Sequence, residues 1–169
     1  MTAVAEGIRS RTIHWTDPAR ARFALRNRDG YARLAAIKAG EAAPPPVVAA
    51  LGLALDHVER GRTVFSLVAD ELHENPMGTM HGGVVATLVD TAMGCAVSST
   101  LPADASFTTL ELSTNFTRAI TTGTGRIYAE GRVVHAGGRV ATTEARVYDD
   151  SGLVYAHATS TCLITRNKR

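Results

Sequence analysis

One aspartate stands in the middle of an otherwise apolar stretch of the chain. The segment NPMGTMHGGVVATLVDTAMGCAV runs from Asn75 to Val97, and the residues that flank Asp90 are mostly aliphatic. A helix over residues 83–98 would be about 24 Å long and would place this aspartate roughly two turns from its start. Because the helix dipole stabilises a carboxylate only in the first turn, capping does not explain it.

Two interpretations of Asp90 are open from the pattern alone. In the structural one, the carboxylate lies on a narrow polar edge of the helix or pairs with a distant arginine, because isolated buried acids are costly. In the functional one, it is a general base or a nucleophile. Gly82 and Gly83 favour the second, because free N–H groups at a helix start can stabilise an oxyanion and glycine lets a ligand approach closely. Together these features indicate acyl transfer.

The remaining polar residues near the helix start are less informative by themselves. A lone histidine such as His81 is more often a structural hydrogen-bond partner than a catalyst, and the pair Asn75-Pro76 is a common way to begin a turn. The six histidines show no HxxxH or HxH spacing, so we expect no metal site. Cys95 and Cys162 lie in apolar runs without a CxxC motif, which is typical of buried free thiols in a reducing compartment.

The chain on either side of the apolar helix is predicted to form an antiparallel sheet. FTTLELSTNFTR alternates with Leu110, Leu112 and Phe116 on one face, and GRIYAEGRVVHAGG and RVATTEARVYDDSG alternate in the same way, with turns short enough for hairpins. RTVFSLVAD and LVYAHATSTCLIT supply further strands. A helix that is apolar on nearly every face has to be covered all round. We therefore predict an α+β fold, a curved five- to six-stranded antiparallel sheet wrapped around one long helix, with a second subunit covering the rest.

Residues 1–46 are predicted to form a helical extension that precedes this domain. Asp17-Pro18 is typical of an N-cap followed by the first helical position, and a second short helix is expected from Tyr31 to Ala39. The prolines of EAAPPPVVAALG then interrupt any helix. The predicted organisation is an extension over 1–46 and a main domain over 47–169.

Composition excludes several broad classes. The 169 residues are 45% hydrophobic and 20% charged, as in ordinary folded proteins, and the formal net charge of +2 is too small to indicate nucleic acid as the partner. No segment approaches the ~18 apolar residues of a membrane span, and the N-terminus has no apolar core of a signal peptide. We expect a cytoplasmic protein that binds neither nucleic acid nor membrane.

Three segments together resemble a known family. NPMGTMHGGVVATLVDTAMGCAV, TTLELSTNFTRAI and GGRVATTEARVYDDSGLVYAHATSTCLI are similar to hotdog-fold acyl-CoA thioesterases of the PaaI-like, phenylacetate-pathway type, over about residues 52–164. The combination N-x2-G-x2-HGG-x6-D is specific as a set. The resemblance implies hydrolysis of an acyl-CoA thioester without a cofactor, since coenzyme A is part of the substrate. It also implies a homodimer, often a dimer of dimers, with active sites shared between subunits.

The resemblance assigns roles to individual positions. Asp90 matches the catalytic carboxylate, and the N–H of Gly82 or Gly83 matches the oxyanion donor. Residues expected at the coenzyme A path lie near strand ends, namely Arg118, Gly137, Gly138 and Arg139. The other matched positions are Asn75, which would position the thioester or the water, His81 beside the thioester carbonyl, and an assisting hydroxyl at Thr109, with Thr108 as the alternative.

Two other functions are alternatives to this one. A hotdog hydratase or dehydratase would pair an aspartate with a histidine about five residues later, whereas residue 95 is a cysteine. An acyl-CoA-binding regulator would carry a DNA-binding unit in the extension. The extension is basic but is predicted to contain only two short helices, fewer than a helix-turn-helix domain usually needs. Its basic residues are Arg20, Arg22, Arg26, Arg28, Arg33 and Lys38.

Overall fold

The computed structural model describes residues 7–166 and contains four α-helices and six β-strands. The helices are α1 (Pro18–Leu25), α2 (Gly30–Lys38), α3 (Pro46–Leu51) and α4 (Gly82–Ser98). The strands are β1 (Ala54–Glu59), β2 (Arg62–Val68), β3 (Ala105–Phe116), β4 (Arg126–Ala136), β5 (Val140–Asp149) and β6 (Val154–Arg166).

The N-terminal helices begin where their capping residues predict. The Asp17 carboxylate accepts a hydrogen bond from the N–H of Ala19 at 2.8 Å, and Asp29 caps α2 through the N–H of Ala32, also at 2.8 Å. Both predicted helices of the extension are confirmed. The sequence pattern predicts no third helix after the prolines, because prolines interrupt a helix, yet α3 begins at Pro46. Pro46 instead occupies the first position of a helix, where its missing N–H has no cost.

All six strands form one antiparallel sheet in the order β1-β2-β4-β5-β6-β3. The hairpins between β4 and β5 and between β5 and β6 confirm the predicted turns. The sequence pattern does not predict β1. Its residues ALDHVE alternate only weakly between apolar and polar, and Gly61 is the only typical turn residue between β1 and β2. The order also places β3 at an edge of the sheet beside β6, although β4 follows β3 in the chain.

Helix α4 lies across the concave face of the sheet. Its residues Leu88, Val89, Ala92 and Met93 are fully buried there. The approach is close at Gly131 of β4, where a Cβ atom would lie 2.5 Å from the backbone carbon of Ala92, so only glycine fits. These contacts confirm the predicted α+β architecture of a sheet wrapped around one apolar helix.

A β-bulge in β3 corrects one prediction about that strand. The pairing with β6 shifts between Thr109 and Glu111, which leaves Leu110 unpaired and 60% exposed. Leu112 packs against the core, but Leu110 does not share its environment, and Phe116 is 56% exposed. The period-2 pattern placed these three residues together, and the bulge breaks that period by one residue.

Within residues 7–166, no helix combines the length and the apolar character needed to cross a membrane. The same part of the chain contains no group of three or more His, Cys, Asp or Glu side chains that could hold a metal ion.

Candidate active site

His81 sets the start of α4. It is the N-cap residue with extended backbone angles (φ −61°, ψ 131°), and its Nδ1 accepts a hydrogen bond from the N–H of Gly83 at 2.9 Å. Its own N–H donates to the carbonyl of His73 at 2.7 Å. His81 therefore caps α4 in this chain. Its ring nitrogen accepts the hydrogen bond of the Gly83 N–H, which is one of the two N–H groups predicted to stabilise the oxyanion.

Gly82 is the predicted donor whose N–H remains available. Among residues 7–166 its N–H makes no hydrogen bond. The ring of Phe116 lies over this position, 3.1 Å from where a Cβ of residue 82 would be. Gly82 and Phe116 line a groove of about 380 Å³ together with Arg118. Gly82, whose N–H has no partner in the described chain, thus lines an open groove together with Arg118.

The carboxylate of Asp90 is half-buried and held by one side chain. The hydroxyl of Thr109 donates a hydrogen bond to its Oδ1 at 2.9 Å. Thr108 alternates to the opposite side of β3 and is exposed, so the geometry selects Thr109 over the alternative. No lysine or arginine of the described chain forms an ion pair with Asp90, which removes the structural interpretation based on a distant arginine.

Two thiols lie near this carboxylate, and sequence reasoning assigned them no place in the site. Cys162 of β6 pairs with Thr109 in the sheet, and Cys95 follows Asp90 by somewhat more than one helical turn. Burial, followed by the charge of Asp90, raises the pKa of the Cys95 thiol to about 12. Burial also raises the pKa of Cys162. Both thiols stay protonated at neutral pH, which is unlike a nucleophilic cysteine. Only the strand register reveals that Cys162 is near the site.

Asn75 organises the loop that leads into α4. Its Oδ1 accepts hydrogen bonds from the N–H groups of Met77 (2.9 Å) and Thr79 (3.3 Å), and its Nδ2 donates to Oγ1 of Thr79 at 2.9 Å. Three contacts within residues 75–79 explain this residue as a turn former. A direct role on the thioester stays a prediction, with one amide hydrogen left for it.

The structure separates the two predicted arginines along the sheet. Arg118 follows β3 at the Gly82 end of α4, and its Nη1 donates to the carbonyl of Val154 at 2.6 Å. Arg139 is exposed in the turn formed with Gly137 and Gly138, and its carbonyl accepts from the N–H of Ile164, which pairs with Phe107. Arg139 therefore lies further from the Gly82 end of α4 than Asp90 does, because Asp90 contacts Thr109 and Phe107 is two residues further along β3. Within one chain the two arginines do not reach a common groove.

Comparisons with known proteins identify the domain. Residues 77–156 match the family model described as Thioesterase superfamily. The fold is the hotdog fold, and residues 77–156 are similar in sequence to the thioesterase superfamily. A phenylacetic acid degradation-related protein of Ralstonia eutropha, provisionally named a thioesterase, is 29% identical with a TM-score of 0.70, over 77% of this chain and 98% of that one. A thioesterase family protein from Silicibacter pomeroyi is 26% identical with a TM-score of 0.69, over 86% and 99%.

One curated relative matches a shorter stretch of the chain. A Halobacterium salinarum protein, provisionally named an esterase, is 39% identical over 72 residues. The match covers 41% of this chain and 46% of that protein, so the chain spans less than half of the relative's length.

The extension is attached to the hotdog domain by several polar contacts. Arg33 donates to the carbonyl of Ala103 at 2.9 Å, and Arg60 pairs with Asp29 at 2.8 Å. Arg28 pairs with Glu41 within the extension. Of the six basic residues of the extension, Arg28 and Arg33 are thus partnered within the chain.

Proposed function

We propose that this protein hydrolyses an acyl-CoA thioester to a free acid and coenzyme A. The observation that supports this most directly is the hydrogen bond between Thr109 of β3 and Asp90 of α4, a helix whose first residue, Gly82, has a free N–H and lines a groove. The thioesterase family match and the relative related to phenylacetic acid degradation agree with it. We place the protein with PaaI-like enzymes on the same grounds.

The chemistry requires a carboxylate and an oxyanion donor at one thioester. Either Asp90 takes a proton from a water that attacks the carbonyl carbon, or the carboxylate attacks and water hydrolyses the resulting anhydride. In both routes the carbonyl oxygen becomes negative and is stabilised by the Gly82 N–H. The C–S bond then breaks, and the coenzyme A thiolate leaves and takes up a proton. The thiols of Cys95 and Cys162 are not needed.

These two groups of one chain are too far apart to act on the same carbonyl. Eight residues separate Gly82 from Asp90 on α4, which corresponds to about 12 Å. To act on one carbonyl group, the N–H that binds its oxygen and the carboxylate that acts on its carbon must lie only about 6 to 7 Å apart, because each contact is ~3 Å long. We therefore propose that Gly82 of one copy and Asp90 of a second copy form each site, in a homodimer or a dimer of dimers.

The same arrangement gives the arginines a common role. Arg118 lies beside Gly82, whereas Arg139 lies toward the Asp90 end of the sheet. When the Gly82 end of one copy faces the Asp90 end of another, both guanidinium groups reach one mouth. Guanidinium groups suit the phosphates of coenzyme A, because their fixed donors match phosphate oxygens.

Release of free thiol from a panel of acyl-CoA esters tests the proposed function. We expect turnover of at least one ester well above the uncatalysed rate. A protein that binds acyl-CoA but releases no thiol from any ester, and that is retained on heparin through residues 1–46, would instead be a regulator.

Thr109→Val is expected to lower kcat by about 10- to 150-fold. The variant keeps the shape of the side chain and removes the hydroxyl that orients the Asp90 carboxylate, and a hydrogen bond to a charged group contributes about 1.5–3 kcal/mol. Steady-state kinetics measure the effect. Thr108→Val is the matched control, since the neighbouring hydroxyl lies on the other side of the strand, and equal losses in both variants would contradict the role of Thr109.

Arg118→Gln is expected to raise KM about 5- to 30-fold with kcat nearly unchanged, because it removes one partly exposed, charge-assisted contact with the nucleotide. The same acyl group on pantetheine, which lacks the phosphates, should be hydrolysed almost as by the wild type. Arg139→Gln should behave similarly, and Arg146→Gln, an exposed arginine in the middle of β5, is the control. An unchanged KM, or an equal loss with the pantetheine ester, would place the coenzyme A path elsewhere.

A further inference from the structure

A cavity of about 440 Å³ lies between the N-terminal extension and the hotdog domain. We call it the extension cavity. One wall comes from α2, the prolines that follow it and α3, and the opposite wall comes from β1, β2 and α4. Its volume is within the roughly 300–1,000 Å³ of small-molecule sites, which occur preferentially at such junctions. Apart from Lys38, Thr91 and Cys95, every lining side chain is aliphatic, a proline or a phenylalanine.

The extension cavity is separate from the proposed active site. Asp90 does not line it and instead accepts the hydrogen bond of Thr109 on β3. Strand β3 is at one edge of the sheet, whereas β1 and β2, which contribute to the cavity wall, are at the other. The chemistry of its own lining therefore determines which ligand the cavity can hold.

The interior of the cavity offers almost nothing to a polar ligand. The hydroxyl of Thr91 donates to the carbonyl of Thr87 at 2.7 Å, so its proton is already used. Burial raises the pKa of the Cys95 thiol to about 12, which keeps it neutral. Pro44 and Pro45 have no N–H to donate. A hydroxyl or charged group placed inside would lose its hydrogen bonds to water without replacing them, so the interior favours an aliphatic chain.

One charged side chain lines the cavity. Lys38, on the last turn of α2, is exposed, and within residues 7–166 its ammonium group forms no ion pair. Glu41, the nearest acidic residue in the sequence, pairs with Arg28 at 3.5 Å. The carbonyls of Ala36 and Ile37 accept N–H groups from the turn after α2, so they do not need the lysine as a cap. No carboxylate lines the cavity, and its mouth therefore presents one positive charge to an anionic head group.

The wall formed by the extension is held firmly against the domain. The N–H of Gly30, at the start of α2, donates to the carbonyl of Leu101 at 2.9 Å. A Cβ at this position would lie 1.7 Å from the carbonyl oxygen of Ser98, so the first turn of α2 touches the end of α4. With the contacts of Arg33 and Arg60 described above, α2 is fixed at several points. The cavity is thus preformed and does not depend on folding of the extension around a ligand.

We infer that the extension cavity binds an aliphatic carboxylic acid, with the chain in the apolar interior and the carboxylate at Lys38. This site does not depend on the hydrolysis proposed above. Each methylene group that enters an apolar site strengthens binding about four-fold. The Kd should therefore fall about 16-fold from hexanoate to octanoate and again to decanoate, until the cavity is filled. Binding of decanoate should have a negative heat-capacity change.

Calorimetric titration of the full chain with decanoate, 1-decanol and decylamine tests the head group. The wild type should bind decanoate most tightly and decylamine least, because Lys38 repels an ammonium group. Lys38→Glu should weaken decanoate binding at least five-fold, since an exposed ion pair contributes up to about a factor of five and the charge is also reversed. The same variant should bind decylamine more tightly. Arg22→Glu, the same reversal at an exposed arginine of α1 outside the cavity, is the matched control and should bind as the wild type does.

Val47→Trp tests the position of the chain. Val47 lines the cavity and is 43% exposed, so a larger side chain can be placed there without disturbing the buried core. Decanoate binding should weaken at least ten-fold, the effect of excluding about two methylene groups. Val134→Trp, the same change at a 64% exposed position outside the cavity, should leave the affinity unchanged.

Asp90→Asn separates this site from the proposed active site, and it should bind decanoate as the wild type does. Loss of binding in Asp90→Asn with unchanged binding in Val47→Trp would place the acid at the proposed active site and overturn the inference. Equal affinity of the wild type for decanoate and decylamine, or unchanged decanoate affinity in Lys38→Glu, would overturn it as well. These titrations involve no ester, so failure of the protein to release thiol from acyl-CoA would reject the hydrolase and leave their result intact.

Discussion

Asp90→Asn is expected to lower kcat by about 10² to 10⁴, the usual effect of losing a general base or nucleophile. The asparagine is nearly the same size, and its carbonyl oxygen can still accept the hydrogen bond from Thr109, so the fold and the strand register should be kept. Asp90→Ala should lose as much activity, while also leaving the Thr109 hydroxyl without its partner. Steady-state kinetics with the best acyl-CoA ester measure both variants.

The control for Asp90 is an exposed carboxylate. Asp104→Asn makes the same chemical change on the surface and should retain wild-type kinetics. Circular dichroism establishes that each variant is folded. If Asp90→Ala retained more than about a tenth of the wild-type kcat, well outside the expected range, the catalytic carboxylate would have to be another residue.

Gly82→Pro is expected to lower kcat by about 10² to 10³, because it removes the one N–H proposed to stabilise the oxyanion. Proline is favoured at the first position of a helix, and the extended backbone of His81 (φ −61°, ψ 131°) is compatible with a following proline. Gly82→Ala is the matched control, since it adds a Cβ 3.1 Å from the far end of the exposed Phe116 ring and keeps the N–H. It should lose far less activity than the proline variant. Similar losses of kcat in both variants would indicate that crowding by the added side chain, and not loss of the N–H, lowers the activity.

Mixed dimers test whether the site is shared between two copies. One subunit carries Asp90→Ala and the other carries Gly82→Pro, with different tags so that only the heterodimer is purified. In a shared site, one of the two sites combines both defects and the other is intact, so about half of the wild-type activity should return. A site contained within one chain would leave both subunits defective, and the heterodimer would be as inactive as either parent.

Local patterns were sufficient for several elements. Capping and proline placement correctly located α1 and α2, and turn residues located the two hairpins, because each of these signals acts over a few neighbouring residues. Helix α4 was placed to within one residue for the same reason. Helix α3 and strand β1 were missed, since each is only six residues long and has little period of its own. Contacts with distant parts of the chain stabilise both.

The sequence by itself showed that Asp90 is unusual, because an acidic residue in an apolar helix can be recognised without knowledge of the fold. It also indicated that free N–H groups at Gly82 and Gly83 could contact a ligand. Only the tertiary structure decided which threonine contacts that acid, which glycine keeps its N–H free, and that the extension encloses a cavity against α4. The choice between Thr108 and Thr109 depends on the pairing of β3 with β6, where a shift of one residue turns every side chain to the other face. Such contacts join residues far apart in the chain, and no local pattern specifies them.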